Sequence, residues 1–191
     1  MRKSLGGIAT AVIIALVVIV LFVCTVRIPA GYVGVVYNMN GGISDRTLTQ
    51  GFHVISPTQN VTTYSIGIEQ SYLTASKDGD SNDDESFEVP SNDGKGLTVD
   101  MTFTYRYDAD RVADTFTRFK GQSGKDVKNS FIKPNIMSWT KEVTAKYSVI
   151  DLLGDKRATL NSELTDYLKQ KFDSLLNLRV GCPPPFRYKS V

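Results

Sequence analysis

From Ser4 to Val26 the chain carries no charged side chain, and Arg2 and Lys3 on one side and Arg27 on the other bracket the stretch. As a helix it would be about 35 Å long at ~1.5 Å per residue, against a bilayer hydrocarbon layer about 30 Å thick. Fourteen of its residues are Leu, Ile, Val or Phe. At ~0.3 to 0.6 kcal/mol for each central position, insertion into lipid is favoured by several kcal/mol, with no buried charge opposing it. The sequence therefore predicts a transmembrane anchor over residues 1–27, with Leu5, Gly7, Ala11, Ala15, Leu16, Val20, Phe22 and Val26 among its lipid-facing or packing positions. Beyond Arg27 the chain has the composition of a water-soluble domain.

A cleaved signal peptide is the competing reading. Its apolar region would run ~7 to 15 residues and end at a small-x-small site. This run is longer, and Arg27, Ile28 and Pro29 precede Ala30. Leu21-Phe22-Val23-Cys24 faintly resembles a lipoprotein site, but Val23 is bulky where a small residue is needed. An uncleaved anchor is the expectation. Arg2, Lys3 and the terminal amine outweigh Arg27 and Arg46, which favours a cytoplasmic N-terminus with the domain on the opposite side. Gly7, Ala11 and Ala15 recur every fourth residue and form a stripe that would let two helices approach closely.

The whole chain has 191 residues and a formal net charge of +2. The part after the anchor is enough for one domain or two small subdomains. With no basic block, nucleic acid is not indicated. Cys24 lies in the apolar stretch and Cys182 near the end, so the domain is not expected to rely on a disulfide.

Beyond the anchor, period-two patterns come first. Val33, Val35 and Tyr37 share a face, Asn38 to Asp45 reads as a turn, and Gly51 to Pro57 reads as a short strand ended by proline. Val61 to Tyr72 is a further strand-like run. At Thr98 to Tyr107, Val99, Met101, Phe103, Tyr105 and Tyr107 alternate with polar residues, as in a strand with one buried face. Between these lies the acidic segment Lys77 to Asp93, with a short strand at Ser86 to Val89.

From Asp108 the period becomes helical. Asp108 or Asp110 can cap a short helix bearing Val112, Phe116 and Phe119, and Gly121 to Gly124 breaks it. Asp126 opens a second helix with Ile132, Ile136, Trp139, Val143 and Tyr147 on one stripe, which Pro134 should kink or split. Ser148 to Asp151 resembles a capping box that starts a third helix with Leu153, Leu160, Leu164, Tyr167, Leu168, Phe172 and Leu175 on its apolar face. Strands followed by helices predict an α+β domain with an antiparallel or mixed sheet.

Several segments resemble the SPFH (stomatin, prohibitin, flotillin; Band 7) family. They are Ile28-Pro-Ala-Gly-Tyr-Val-Gly-Val-Val-Tyr37, Gly51-Phe-His-Val-Ile-Ser-Pro57 and Asp93 to Tyr107, then Ile132-Lys-Pro134, the run to Lys146-Tyr147, and Leu152-Leu-Gly-Asp-Lys-Arg157. The resemblance covers residues 1–178 and is greatest to the prohibitin branch. It implies an SPFH domain over 28–178 and a membrane-tethered, non-enzymatic scaffold. Such a scaffold forms homo-oligomers on a lipid bilayer, organises membrane proteins, and often encloses or regulates an AAA-type membrane protease. The family's closing strand and coiled coil are expected to be missing, because three successive prolines follow Cys182 and forbid a helix. Residues 179–191 read as a disordered, proline-rich tail.

The remaining signals are weak. His53 is the sole histidine and lies in an apolar strand with no Ser-His-Asp pattern, so an anchored hydrolase is the rival without a constellation. A secreted ligand-binding domain, freed by signal cleavage, is the third reading. No cofactor and no metal site is expected: His and Cys ligands are too few for zinc. An EF-hand beginning at Asp78 would need glycine where Asp83 stands and glutamate where Val89 stands. Asn60-Val-Thr62 matches a glycosylation acceptor pattern. Ile28, Tyr32 and Phe52 lie close enough to the anchor to meet the membrane surface. Leu164, Leu168 and Phe172 are either core or a subunit contact.

Overall fold

The computed structural model describes residues 2–39, 41–75, 83–154, 156–176, 179–181 and 187–188, without the side chains of 2–10, 21, 45, 176, 179–181 and 187–188. The chain divides into two compact units, Met1–Tyr64 and Ser65–Val191.

The first unit opens with helix α1, Arg2–Val23. Its backbone follows the helix expected from the apolar run but ends earlier. Val26, assigned to the anchor from sequence, belongs instead to strand β1, Thr25–Ile28. Among the described residues no helix is long and apolar enough to cross a membrane. The described side chains of α1 are those of 11–20 and 22–23. Residues 11–20 span about 15 Å at ~1.5 Å per residue, half of a ~30 Å hydrocarbon layer. The expected membrane-spanning helix is thus met as a helix and not as a span.

β1 pairs antiparallel with β4, Gly51–Val54. A separate three-stranded sheet has β2, Tyr32–Asn38, between β3, Gly42–Leu48, and β5, Gln59–Ser65. The step from β1 to β2 is a tight turn in which the Tyr32 amide donates to the Pro29 carbonyl at 3.3 Å. Gly31 sits at φ +80°, a value that favours glycine at the third position of such a turn. Val33, Val35 and Val36 are all buried, so β2 is covered on both faces rather than alternating. A register shift between Val35 and Tyr37 helps turn successive side chains inward.

The second unit is built on β8, Gly96–Arg106. Val99, Met101, Phe103, Tyr105 and then Tyr107 are each at most 2% exposed, as the alternation predicts. The run read as one strand over Val61 to Tyr72 is two: β5 closes the first unit's sheet, and β6, Glu69–Leu73, pairs with β8. β7, Phe87–Pro90, pairs with the start of β8.

The tail corrects the sequence reading. Strands β9, Arg179–Gly181, and β10, Arg187–Tyr188, both pair antiparallel with β8. Val99 pairs with both Phe87 and Tyr188, and Tyr105 with both Glu69 and Val180, so β8 is hydrogen-bonded along both edges. Prolines forbid a helix, but they do not prevent the residues on either side from adding to a free strand edge.

Helices cover this sheet. α2, Val112–Arg118, is not capped by either aspartate, because Asp108 Oδ1 accepts from the Asp110 amide one turn earlier. Ser123, rather than Asp126, caps α3, Gly124–Val127: its Oγ accepts from the Asp126 amide at 3.3 Å. A π-helical turn, Lys128–Ile132, comes next, and α4, Lys133–Thr144, starts with Pro134 in its first turn. The disturbance expected at Pro134 is therefore a widened turn ahead of it, where the missing amide costs little. Ser148 caps α5, Val149–Leu153, its Oγ accepting from the Asp151 amide at 3.2 Å. The third helix expected from the sequence is thus two, and α6, Arg157–Leu176, begins afresh after Gly154. Leu160, Leu164, Leu168 and Phe172 are at most 1% exposed, and the Phe172 ring meets Trp139 of α4 edge-on at 4.8 Å.

Candidate functional site

Two kinds of surface could do work here: apolar side chains left uncovered, and charged side chains gathered in clusters. The uncovered apolar surface lies mainly on α1. Val12, Ile13, Ile14, Leu16, Val17, Val18, Ile19 and Val20 are 44–61% exposed, Phe22 80% and Val23 67%. Successive residues point about 100° apart around a helix, so exposure of these eight positions means that, among the described residues, no face of α1 over 12–20 is packed. A helix apolar on every side is stable only where something apolar surrounds it. Ala11 and Ala15 are exposed on the same helix, whereas the side chains of Leu5 and Gly7 lie outside the described residues.

α1 passes into the domain without a linker. The Cys24 amide donates to the Val20 carbonyl at 2.9 Å and closes the last helical turn, while the Cys24 carbonyl accepts from the Ile55 amide at 2.8 Å and opens the pairing of β1 with β4. The Cys24 side chain is buried. In the ribbon, Thr25 faces Val54, Val26 faces His53, Arg27 faces Phe52 and Ile28 faces Gly51. Directly paired residues share a face, so Thr25, Val54, Arg27 and Phe52 lie on one side. That side is open: Phe52 is 73% and Val54 76% exposed, and the Arg27 guanidinium lies 5.6 Å from the Phe52 ring centroid. The opposite side turns inward, with Val26 and His53 half-buried and Ile28 buried.

The sequence-derived membrane-surface trio therefore separates. Phe52 is presented to the outside, Tyr32 is half-buried, and Ile28 belongs to the core. Val54 was missed although it stands two residues from Phe52, the period that places both on one strand face. Leu164, Leu168 and Phe172, open between core and subunit contact, are fully buried within the second unit and so form core. Leu153, expected on that buried face, is instead exposed on α5 together with Ile150.

His53 Nε2 lies 2.6 Å from the Thr49 carbonyl, so this ring nitrogen donates to the backbone. That is how a strand histidine is satisfied. The acidic segment over 76–82, where the EF-hand comparison falls, lies outside the described residues. Its described end is committed elsewhere: Asp84 accepts from the Ser86 amide at 2.9 Å, and Glu85 accepts twice from Lys133 Nζ, at 2.8 and 2.6 Å. Lys133 is only 6% exposed. Asn60 of the acceptor pattern donates to the Tyr37 hydroxyl at 3.3 Å.

The charged cluster joins the end of α4 to α6. Glu163 accepts from Lys146 Nζ at 2.9 Å and from the Tyr147 hydroxyl. Those two donors, Tyr147 first, hold the Glu163 carboxyl below its ordinary range, and Glu163 in turn raises both Lys146 and Tyr147. Tyr167 donates to Glu142 at 2.6 Å, with the Lys146 and Lys171 ammonium groups 5.9 and 5.2 Å from its ring centroid. Every member is engaged with another, so the cluster fastens α6 to α4.

The model of the SPFH domain / Band 7 family matches residues 26–178, from within β1 to just past α6. No curated protein matches the chain significantly.

Proposed function

Since the chain belongs to the SPFH domain / Band 7 family, whose members are in general non-enzymatic scaffolds that oligomerise on membranes, we propose that it is a membrane-anchored, self-associating scaffold. The observation that carries this reading is α1: apolar on every side, uncovered among the described residues, and joined to the family domain without a linker. In the proposal α1 buries its side chains in a lipid bilayer, with Leu5, Leu16, Val20 and Phe22 among the lipid contacts. Anchoring confines many copies to one plane, which raises their effective concentration so that weak lateral contacts suffice for assembly. Gly7, Ala11 and Ala15 give one such contact, a stripe along which two copies of α1 approach.

In finer form, the proposal keeps the single-pass orientation argued from Arg2 and Lys3, with a cytoplasmic N-terminus and the domain opposite. The span rests on the uncharged composition of 4–23, and the orientation on Arg2, Lys3 and the terminal amine against Arg27 and Arg46. The proposal also keeps likeness to the prohibitin branch and an AAA-type membrane protease as the client. These rest on the sequence resemblance.

The test is fractionation of the full chain. Attachment that survives carbonate at high pH, with a detergent- or nanodisc-extracted particle many times the 21.1 kDa chain mass, supports the scaffold. Release of the intact chain by carbonate, or a monomeric extracted particle, refutes it. Protease protection of a tag at each end reads the orientation, and co-purification of a membrane protease with the extracted particle tests the client.

A further inference from the structure

A cleft of about 370 Å³ opens at the C-terminal end of β8, lined by Ile66, Arg106, Tyr107, Asp108, Ala109 and Asp110, all within the second unit. Neither the anchor nor the assembly argued above uses it. We propose that this cleft binds a small zwitterion with an apolar side chain, of the class of a free aliphatic α-amino acid. Arg106 takes its carboxylate, Asp108 and Asp110 take its ammonium group, and Ile66 and Ala109 meet its hydrocarbon. The site is independent of how the chain is held to lipid.

Backbone hydrogen bonds build the walls. The Tyr107 amide donates to the Ser65 carbonyl at 3.1 Å, which holds Ser65 and Ile66 beside the end of β8. The chain then turns sharply. The Asp110 amide donates to Asp108 Oδ1 and the Arg111 amide to the Asp108 carbonyl, both at 3.1 Å. That turn keeps residues 108–110 at the strand end and fixes the Asp108 carboxylate through one of its oxygens. The resulting volume lies at the small end of the ~300–1,000 Å³ of small-molecule sites, so the occupant is a small molecule rather than a polymer.

The charges decide its chemistry. Arg106 is half-buried, and among the described residues its guanidinium has neither a hydrogen-bond nor an ion-pair partner. Its partner in the β8–β9 ladder is Arg179, so that rung brings no carboxylate to it. Asp108 and Asp110 line the same cleft, yet neither pairs with it. A guanidinium drawn partly out of water gains most from a carboxylate, which its planar fork holds through two parallel hydrogen bonds. Opposite charges that share a cleft without meeting suit a ligand that carries both signs and stands between them. A plain anion would face the two aspartates, and a plain cation would face Arg106. The Tyr107 hydroxyl is spent on the Gly124 carbonyl at 2.7 Å, which leaves Arg106 and the aspartates as the polar side chains of the lining open to a ligand. What remains of the wall is Ile66 and Ala109, which suits a hydrocarbon side chain.

The test is equilibrium dialysis of the full chain in nanodiscs, with empty nanodiscs as the blank. The probes are L-leucine, 4-methylpentanoate, which lacks the ammonium group, and 3-methylbutylamine, which lacks the carboxylate. L-leucine should bind saturably at one per chain. Each analogue should bind at least about tenfold more weakly, because each leaves a charge of the cleft unpaired. Arg106→Gln should remove the preference for leucine over the amine. Asp110→Asn, at an exposed position, should weaken leucine about tenfold and leave 4-methylpentanoate no weaker. Unfolding midpoints show whether each variant folds, and if Arg106→Gln does not, Asp110→Asn decides alone. Absence of saturable leucine binding overturns the proposal. Leucine binding that a folded variant leaves intact overturns it as well, since the ligand then sits elsewhere. An analogue that binds as tightly as leucine also overturns it, and makes the cleft a site for a simple anion or cation.

Discussion

α1 and α6 are the two long helices, of 22 and 20 residues, and they solve the same problem in opposite ways. α6 sets Leu160, Leu164, Leu168 and Phe172 on one stripe and hides that stripe within its own unit, leaving Leu175, expected on the same face, open near its end. α1 has no polar face to turn toward water, and every described bulky apolar side chain on it is open. The difference lies in pattern more than in amount of hydrophobicity. A stripe at a spacing of four specifies a partner on one side, which a neighbouring helix and sheet can supply. A helix apolar all round specifies a surrounding medium. Substitutions in α6 should therefore be felt in folding, and substitutions in α1 in attachment.

The largest effect expected from that contrast is at Phe172. Phe172→Ala removes a fully buried ring and its edge contact with Trp139, and should cost about 3–5 kcal/mol of stability, measured by denaturant unfolding. Membrane attachment of the fraction that remains folded should be unchanged. Next is the converse in α1. Val17→Lys places a charge in the middle of the apolar shaft, at about 2.5–3.5 kcal/mol, so liposome binding should fall by about two orders of magnitude. The unfolding midpoint of the domain should stay where it was. A shift in that midpoint would show that α1 is packed on something within the chain, and the contrast with α6 would dissolve.

A smaller effect is expected at the buried ion pair, which tests whether the second unit is held by packing alone. Glu85→Gln removes the charge that grips Lys133 through two short hydrogen bonds and leaves that ammonium in a site 6% exposed. With the Glu85 side chain 24% accessible, the loss should be about 2 kcal/mol, less than for a fully enclosed pair. Lys133→Met combined with Glu85→Gln should recover most of it, since an unbranched apolar chain can lie where the lysine stem lay. A double variant as unstable as Glu85→Gln would show that the pair itself, not its desolvation, stabilises this corner.

What could be read from the residues was what local periodicity encodes. The alternation of β8 and the stripe of α6 are each written within one segment, and the structure keeps them. Three features depended on distant partners and were not legible. The run from Val61 to Tyr72 looks continuous, but its halves join different sheets, and only the strands beside them decide that. The tail strands exist because β8 has edges to offer, which no tail residue reveals. Lys133 sits next to Ile132 at the start of an apolar stripe and gives no sign of Glu85, 48 positions earlier. The break between α5 and α6 was local but easily passed over: a Cβ on Gly154 would stand 2.8 Å from the Ile150 carbonyl oxygen, so that turn needs glycine. Of the open face of the β1–β4 ribbon, Phe52 was legible from its nearness to the anchor. Val54 and Arg27 needed the ribbon register.

The smallest effect concerns pH, and it bears on the same two helices. Glu163 is held below its ordinary range, by the Tyr147 hydroxyl first and Lys146 second, and Asp151 is lowered by Lys156 first and Ser148 second. Where the folded state lowers a carboxyl, the unfolded state binds more protons in acid. That stabilisation is whole above the ordinary carboxylate range and is lost as pH falls through the folded values beneath it. Lys146 and Tyr147 are raised, each chiefly by the hydrogen bond to Glu163. Their contribution is whole below their ordinary values and is lost as pH rises through the folded ones. Stability of the second unit should therefore show a plateau with a shallow shoulder at each end, both small because these groups are largely exposed. Glu163→Gln should flatten the alkaline shoulder and part of the acid one, whereas Asp151→Asn should act chiefly on the acid one, its charge being the last of the causes that raise Tyr147. Helix α1 carries no charged side chain from Ser4 to Val23, so liposome attachment should not track either shoulder. If attachment tracked the Glu163 titration, the membrane contact would have to involve α6 or α4, and the assignment of lipid binding to the first unit would fail.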